Sequence, residues 1–437
     1  MDIATYKDFF ANKRITLMGL GLLGRGVGDA AFLAPLCKEL VITDRKSKDE
    51  LASSLGQLKD FSNITYVLGE HKVEDFVGAD MVIKAAGVPL NSIYIEEAKK
   101  AGVPVYMSTA LFAKFARDTG ATVVGVTGTR GKSTVTHMIH HTLVQAGRRA
   151  HIGGNVRGLS TLAMLPEVNA GDIAVLELDS WQLQGFGDLA ISPDISVFTN
   201  LMEDHLNYYL SELDYFLDKA KIFIHQRPGD TLIAGQDIAD RISAMHPPVA
   251  LAVPPAIPAA WALKIPGEHN RANAALAAEA LRALRLSDEQ IRSGIESFDG
   301  VEGRLQKVAT VKGVDIYNDN NATTPDATIA ALNAFDTNVI LITGGADKGL
   351  SLDGLAQTIA DKTKKTLLLP GTGTERLVTL VGNTTMYRSV PDALKDALAS
   401  AEPGDIILFS PAFASFGMFQ NEYDRNDQFM SAVKALE

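Results

Sequence analysis

At 437 residues the chain outgrows a single hydrophobic core, and a usual domain size of about 100–200 residues predicts two to four domains, with three as the expectation. Hydrophobic residues make up 46% and charged ones 21%, enough apolar side chain for a core in each part, while a net charge of −11 argues against nucleic acid as a partner and requires local basic groups for any anionic substrate. A single cysteine, Cys37, excludes an intrachain disulfide and a cysteine-based zinc site; with no signal-peptide pattern in Met1-Asp-Ile-Ala-Thr-Tyr-Lys-Asp8 and no apolar run near the roughly 18 residues of a membrane span, a soluble cytoplasmic protein without membrane contact is expected.

Strand-like apolar runs alternate with helical stretches along the chain: 15–18, 39–42, 81–84, 122–126, 173–178, 195–198, 339–342, 366–369 and 405–409. That rhythm predicts an α/β fold with mostly parallel sheets. A first segment is expected over 1–119, a second over 120–298, ending at the turn Phe298-Asp-Gly-Val-Glu-Gly303 after the alanine-rich helix Arg271 to Leu284, and a third over 299–437. The cluster Pro247, Pro248, Pro254, Pro255 and Pro258 reads as a loop inside the second segment.

In the first segment the run 15–18 leads into Gly19-Leu-Gly-Leu-Leu-Gly24, which contains Gly21, Leu22 and Leu23, and Asp44 stands 20 residues beyond Gly24 at the end of the next strand. This is a dinucleotide fingerprint in its proper context: glycines let a pyrophosphate approach a helix N-terminus, and Arg45 suits a further phosphate or a base. By itself it fits NAD and other nucleotides equally. Lys84-Ala-Ala-Gly-Val-Pro89 repeats the strand-to-glycine-turn pattern and brings Gly87 to the same sheet edge.

The second segment opens on Val123-Val-Gly-Val-Thr-Gly-Thr-Arg-Gly-Lys-Ser-Thr134, an apolar strand running into a phosphate cradle. Amides of Gly128, Thr129 and Gly131 can close around phosphate oxygens, Lys132 supplies a cation, Ser133 offers a hydroxyl to Mg²⁺, and the helix opening at Thr134 aims its positive end at the anion. The pattern is irregular, because Val126 stands where the strict P-loop motif has glycine. Glu177 ends one strand and His205 follows another, both at the carboxyl edge where open α/β sheets bind ligands, so either can ligate Mg²⁺ beside Ser133. His205 also reads as a plain loop histidine, and Asn155 after Gly153-Gly154 as a turn residue or a polar contact. By composition Lys219 and Lys221 are solvated helix lysines.

Seven stretches then add up to a family: Val126-Thr-Gly-Thr-Arg-Gly-Lys-Ser-Thr134, Leu176-Glu-Leu-Asp-Ser-Trp-Gln-Leu183, Glu203-Asp-His205, Lys219-Ala-Lys-Ile-Phe223, Gly267-Glu-His-Asn-Arg-Ala-Asn273, Asn318-Asp319 and Ser410-Pro-Ala-Phe-Ala-Ser415. In that order they resemble the motifs of the Mur ligases of peptidoglycan synthesis, over essentially the whole chain. The resemblance implies a Rossmann-like N-terminal domain holding a UDP-sugar, a central P-loop ATPase with a mostly parallel sheet, and a Rossmann-like C-terminal domain bringing in the amino acid. The implied activity is ATP-dependent amide formation between UDP-N-acetylmuramoyl-L-alanine and D-glutamate, by a monomer, with two Mg²⁺ ions.

The resemblance also implies roles. Lys132 and its neighbouring backbone serve the ATP phosphates; Ser133 and Glu177 bind metal; His205 holds a second Mg²⁺; Lys219 is carbamylated by CO₂, becoming an anionic group near that metal. Asn273 contacts adenine, and Arg304 and Asp319 contact the nucleotide. Gly21, Leu22, Leu23, Asp44, Arg45, Gly87 and Asn155 hold the UDP-sugar, while Thr323, Lys348, Ser415 and Tyr423 hold the amino acid. The sequence departs from the family at Arg130, where Asn is usual, at Asn320-Asn321, which replaces a Ser-Lys pair, and at Glu422-Tyr423, where an aromatic followed by an acid is usual. These departures put the identity of the amino acid in question, with L-glutamate or another amino acid as the alternative. Outside the family, a folate polyglutamate ligase, an NAD-dependent oxidoreductase and a non-catalytic nucleotide-sugar binder are the rival readings.

Overall fold

The computed structural model describes residues 5–22, 24–89, 91–156, 158–202, 209, 211–336, 338–382 and 384–436. The chain forms two compact units, Met1–Pro255 with Ala275–Ile291, and Ala256–Ala274 with Arg292–Glu437. The proline cluster expected to be a loop within the second segment therefore also contains a passage between units, at Pro255–Ala256.

The first unit holds two sheets. One has the order Ile64–Leu68, Glu39–Asp44, Arg14–Met18, Met81–Lys84, Val105–Tyr106, all parallel. Its central strands are buried on both faces, which is why they read as unbroken apolar runs. The strand order reverses beside Arg14–Met18, so the glycine turn after Met18 and the turn after Lys84 open on the same crevice. The other sheet has the order Leu251–Ala252, Thr231–Ala234, Ile195–Phe198, Thr122–Thr127, Ile173–Glu177, Ala150–Gly154, again all parallel. One hydrophobic core runs through both, from Phe10 and Leu17 by way of Phe112 and Phe115 to Val123, Leu176 and Phe216.

The second unit holds a sheet ordered Gln306–Val311, Val314–Asn318, Ile406–Phe409, Val339–Thr343, Thr363–Leu368, Thr384–Met386. Alternate residues of Val339–Thr343 feed two cores, Ile340 and Ile342 on one face, Val339 and Leu341 on the other. Only its first pair is antiparallel, a hairpin closed by Lys312 and Gly313, both at positive φ as a tight two-residue turn requires.

Apolar runs located the central strands to within a few residues but not the edge strands Ile64–Leu68 or Thr384–Met386, whose polar residues dilute the signal, nor the four-residue strand Thr231–Ala234, too short to stand out. The phosphate helix starts at Lys132 rather than Thr134, and the alanine-rich helix spans Glu268–Ala283.

Candidate functional site

The strand Thr122–Thr127 delivers the chain to the cradle, and Gly131, left-handed at φ 80°, turns it into the helix Lys132–Gln145. Gly128 sits so close to the next strand's exit that a Cβ there would lie 1.9 Å from Thr199 Oγ1. The loop is fixed from that side: Thr129 N donates to Asn200 O, Arg130 N to Asn200 Oδ1, and Met202 N to Thr129 Oγ1. Thr129, Ser133 and Thr134 are buried at the helix start, where unpaired amides and the helix dipole favour an anion.

Lys132 Nζ donates to the carbonyls of Gly128 and Thr129, each at 3.0 Å. Lys219, on the helix Glu212–Ala220, is 1% exposed; its Nζ lies 4.6 Å from the Tyr215 ring centroid and donates to the same Gly128 carbonyl at 2.8 Å. The solvated reading of Lys219 is thus corrected: an apolar helix face, with Tyr215 and Phe216, carries it inward. Lys221 does reach the surface region, paired with Asp218.

Glu177, at the end of Ile173–Glu177, is buried at 3% exposure. Its backbone carbonyl accepts from Asn155 N at 2.7 Å, and a Cβ on Gly154 would lie 2.0 Å from that oxygen. Asn155 and Glu177 are therefore neighbours at one sheet edge. In the run Leu176–Leu183, Asp179 and Gln182 form a reciprocal capping box that starts the helix Ser180–Asp188. His205 and Leu23 lie outside the described residues, and among the described residues no three histidine, cysteine, aspartate or glutamate side chains cluster as a metal site.

At the other sheet Asp44 Oδ2 accepts from Leu20 N and Gly21 N, both at 2.9 Å, and Oδ1 from Lys46 N. The carboxylate pins the glycine turn, so the Gly21 amide is spoken for by Asp44. A cleft of about 520 Å³ brings Asp44, Arg45 and Gly87 together with His71 and Tyr94. The His71 ring meets Tyr94 edge-on at 5.1 Å, Tyr94 stacks on Phe76 at 5.3 Å, and His71 Nδ1 is 2.7 Å from Thr43 Oγ1. Burial, then the Arg45 cation, holds the imidazole below its ordinary pKa, so this wall is neutral and aromatic. Behind it Lys84, 2% exposed, donates to Val88 O at 2.9 Å and fixes the Gly87 turn; burial lowers its pKa to about 8. Nothing in the local sequence pattern singles out His71, Tyr94 or Lys84.

Residues 126–251 match the Mur ligase middle domain and residues 303–413 the Mur ligase glutamate ligase domain. The UDP-N-acetylmuramoylalanine–D-glutamate ligase of Roseiflexus sp. is 36% identical over 98% of this chain and 99% of its own, and that of Borreliella burgdorferi is 34% identical over the same shares. The chain belongs to the Mur ligase family. It is accordingly an ATP-dependent, amide-bond-forming ligase. The fold likeness extends to the UDP-N-acetylmuramate-alanine ligase of Thermotoga maritima, with a TM-score of 0.62 at 17% identity, covering 98% of this chain and 100% of that one.

In the second unit of this Mur ligase, Lys348 Nζ donates to Thr323 Oγ1 at 3.1 Å. The loop carrying Lys348 is bound to the loop carrying Ser415 by a two-way backbone bridge between Ala346 and Ala414. Thr323 and Lys348 thus meet directly, and Ser415 follows the bridged Ala414 on the neighbouring loop. Tyr423 lies in the first turn of Glu422–Lys434, capped by Asn421. Asp319 accepts from Leu305 N and Ser410 Oγ. Arg304 Nε is buried with no hydrogen-bond partner among the described residues, and Asn273 donates to Asn270 at 3.2 Å.

The Asn320-Asn321 departure has a structural account. Asn320 accepts from Arg425 Nε and donates to Glu422 O; Asn321 is tied to the Glu302–Gly303 turn. Arg425, fully buried, also donates to Asn320 O and Phe413 O, and burial pulls its pKa down to about 10. Sequence reasoning missed Arg425, since a charge on a polar helix gives no sign of burial.

Proposed function

We infer that this Mur ligase joins D-glutamate to UDP-N-acetylmuramoyl-L-alanine with consumption of ATP, in the assembly of the peptidoglycan precursor. Support for the substrates comes from the two near full-length relatives, both D-glutamate ligases. The observation that carries the chemistry is the meeting of Lys132 and Lys219 at the Gly128 carbonyl, inside a cradle at a helix N-terminus. Two lysine side chains converging on one carbonyl gather donors where a phosphate would be held.

We assign the segments 1–119, 120–298 and 299–437 to the UDP-sugar, ATP and amino acid. In the first, the aromatic cleft beside Asp44 and Arg45 suits the nucleobase end of the sugar nucleotide. In the second, the cradle residues hold ATP. In the third, Lys348 and Thr323, with Ser415 on the bridged loop, offer a cation and hydroxyls to the glutamate carboxylates, and we assign Arg304, whose buried Nε has no hydrogen-bond partner among the described residues, to the nucleotide.

The acceptor carboxylate oxygen attacks the γ-phosphorus, the bond from that phosphorus to the bridging oxygen breaks, and ADP leaves. The glutamate amine then attacks the acyl phosphate carbon, phosphate departs, and the amine proton is lost to solvent or base. Lys132 balances charge on the transferring phosphoryl group, which is chiefly a matter of position and electrostatics. Ser133 and Glu177 fit Mg²⁺, since one hydroxyl and one buried carboxylate at the cradle are the few protein oxygens this ion needs beside phosphate and water. Bound there, Mg²⁺ neutralises phosphate charge. Lys219 is suited to carbamylation: its amine is enclosed and already crowded by a second cation, and the product replaces a positive charge by a negative one.

Phosphate release tests the reaction. With ATP, Mg²⁺ and UDP-N-acetylmuramoyl-L-alanine, D-glutamate should support turnover and L-glutamate should not. Turnover only with L-glutamate, or with a basic or neutral amino acid, would overturn the substrate assignment.

A further inference from the structure

The helix Arg25–Leu33, which begins at the glycine turn, buries a carboxylate in its second turn. Asp29 is 7% exposed and accepts a 2.6 Å hydrogen bond from Ser160 Oγ. The Ser108 hydroxyl, at the start of the helix Ser108–Thr119, and the Arg25 charge on its own helix both favour the ionised carboxylate. Ser160 belongs to the connection between Ala150–Gly154 and the short helix Leu162–Glu167, and its hydroxyl accepts from Ala163 N at 3.1 Å. The approach is built in: a Cβ on Gly28 would lie 2.5 Å from Ser160 Cβ, and Arg25 Nε donates to Val156 O at 3.2 Å.

The same connection is held at its other end. Gly154 N donates to Thr161 Oγ1 at 2.7 Å, and Asn155 N to Glu177 O at 2.7 Å. An unbroken path of short hydrogen bonds and covalent backbone thus runs from the helix of the glycine turn, through Asp29 and Ser160, to Asn155 and Glu177 at the ATP-binding sheet.

We propose that Asp29 and Ser160 are positioning residues, a clasp that seats Asn155 against the glycine turn and so sets the sugar nucleotide relative to the ATP cradle. This rests on the reading that Gly21, Asp44 and Asn155 hold the UDP-sugar. Neither residue touches substrate; they act through the connection that bears Asn155. The occupant whose binding depends on the clasp is the sugar nucleotide, because ATP is held by a loop fixed independently through Thr199, Asn200 and Met202.

Steady-state kinetics on the full-length enzyme distinguishes this role from general support of the fold. Asp29→Ala and Ser160→Ala should each raise KM for UDP-N-acetylmuramoyl-L-alanine about tenfold and leave KM for ATP within about twofold. Asp29→Asn, which keeps an acceptor for the Ser160 hydroxyl, should restore most of the affinity. Gly28→Ala, which pushes Ser160 away without removing either partner, should reproduce the Asp29→Ala pattern. Equal shifts in both KM values, no shift in either, or an asparagine variant no better than alanine would overturn the clasp. Asp44→Ala separates the two claims: weakened sugar-nucleotide binding there with none in the clasp variants removes the clasp alone, whereas unchanged binding in Asp44→Ala removes the site reading and the clasp with it.

Discussion

Lys219 shows what a single side chain can hide. By composition it reads as a solvated helix lysine, and only the structure shows the residue 1% exposed with its amine on the Gly128 carbonyl. If carbamylation supplies an anion there, Lys219→Ala should lose nearly all ligase activity and recover part of it with added formate or acetate, which fit the emptied anionic position; a fully active variant would end the assignment. Asp29 offers a second residue-level test, through stability. Burial raises its pKa from 3.8 to about 6, against the opposing pull of Ser160, Ser108 and Arg25. The folded state therefore binds the proton more tightly than the unfolded chain. Stability falls as pH rises from about 4 to about 6, and the full cost, on the order of 3 kcal/mol at most, persists above that window. Asp29→Asn should accordingly melt higher than the parent at pH 8, and the gain should vanish near pH 4. A variant destabilised at pH 8 and unaffected at pH 4 would reverse the sign of the argument.

Among the elements, those legible in the sequence were strands buried on both faces and turns whose chemistry needs glycine. The run 122–126 and the glycines at 128 and 131 predicted a strand, a cradle and a helix start, and the geometry follows them closely. Edge strands such as Thr384–Met386 escaped because half their residues face water. The clasp escaped for a different reason: Asp29 and Ser160 are 131 positions apart, and nothing local marks either. The same holds for the wall of His71 and Tyr94 and for buried Arg425, each defined by partners distant in sequence. The cradle gives the element-scale prediction. Gly128 has φ 138° and a Cβ there would overlap Thr199 Oγ1, so Gly128→Ala must displace the loop. ATP binding and turnover should collapse, while titration with UDP-N-acetylmuramoyl-L-alanine stays within about twofold of the parent, because a change confined to one site leaves a distant one nearly unaffected. Loss of both affinities together would show that the substitution unfolds more than the loop.

For the whole molecule, the division into units decides how binding should propagate. Of the three sheets, the first two share one core from Phe10 to Phe216, whereas the third has cores of its own. Every residue assigned to the sugar nucleotide belongs to the first unit. A ligand that binds the native state lowers the population of the openings that expose its site, so exchange slows where the ligand makes contact and in whatever opens cooperatively with it. UDP-N-acetylmuramoyl-L-alanine without ATP should therefore slow amide exchange across residues 19–22, 85–89 and 158–161, and also in Thr122–Thr127, which shares that core. Exchange in Val339–Thr343 should keep its rate. Equal slowing in Val339–Thr343 would mean that the sugar nucleotide engages the second unit directly, and the assignment of its site to the first unit alone would have to be abandoned.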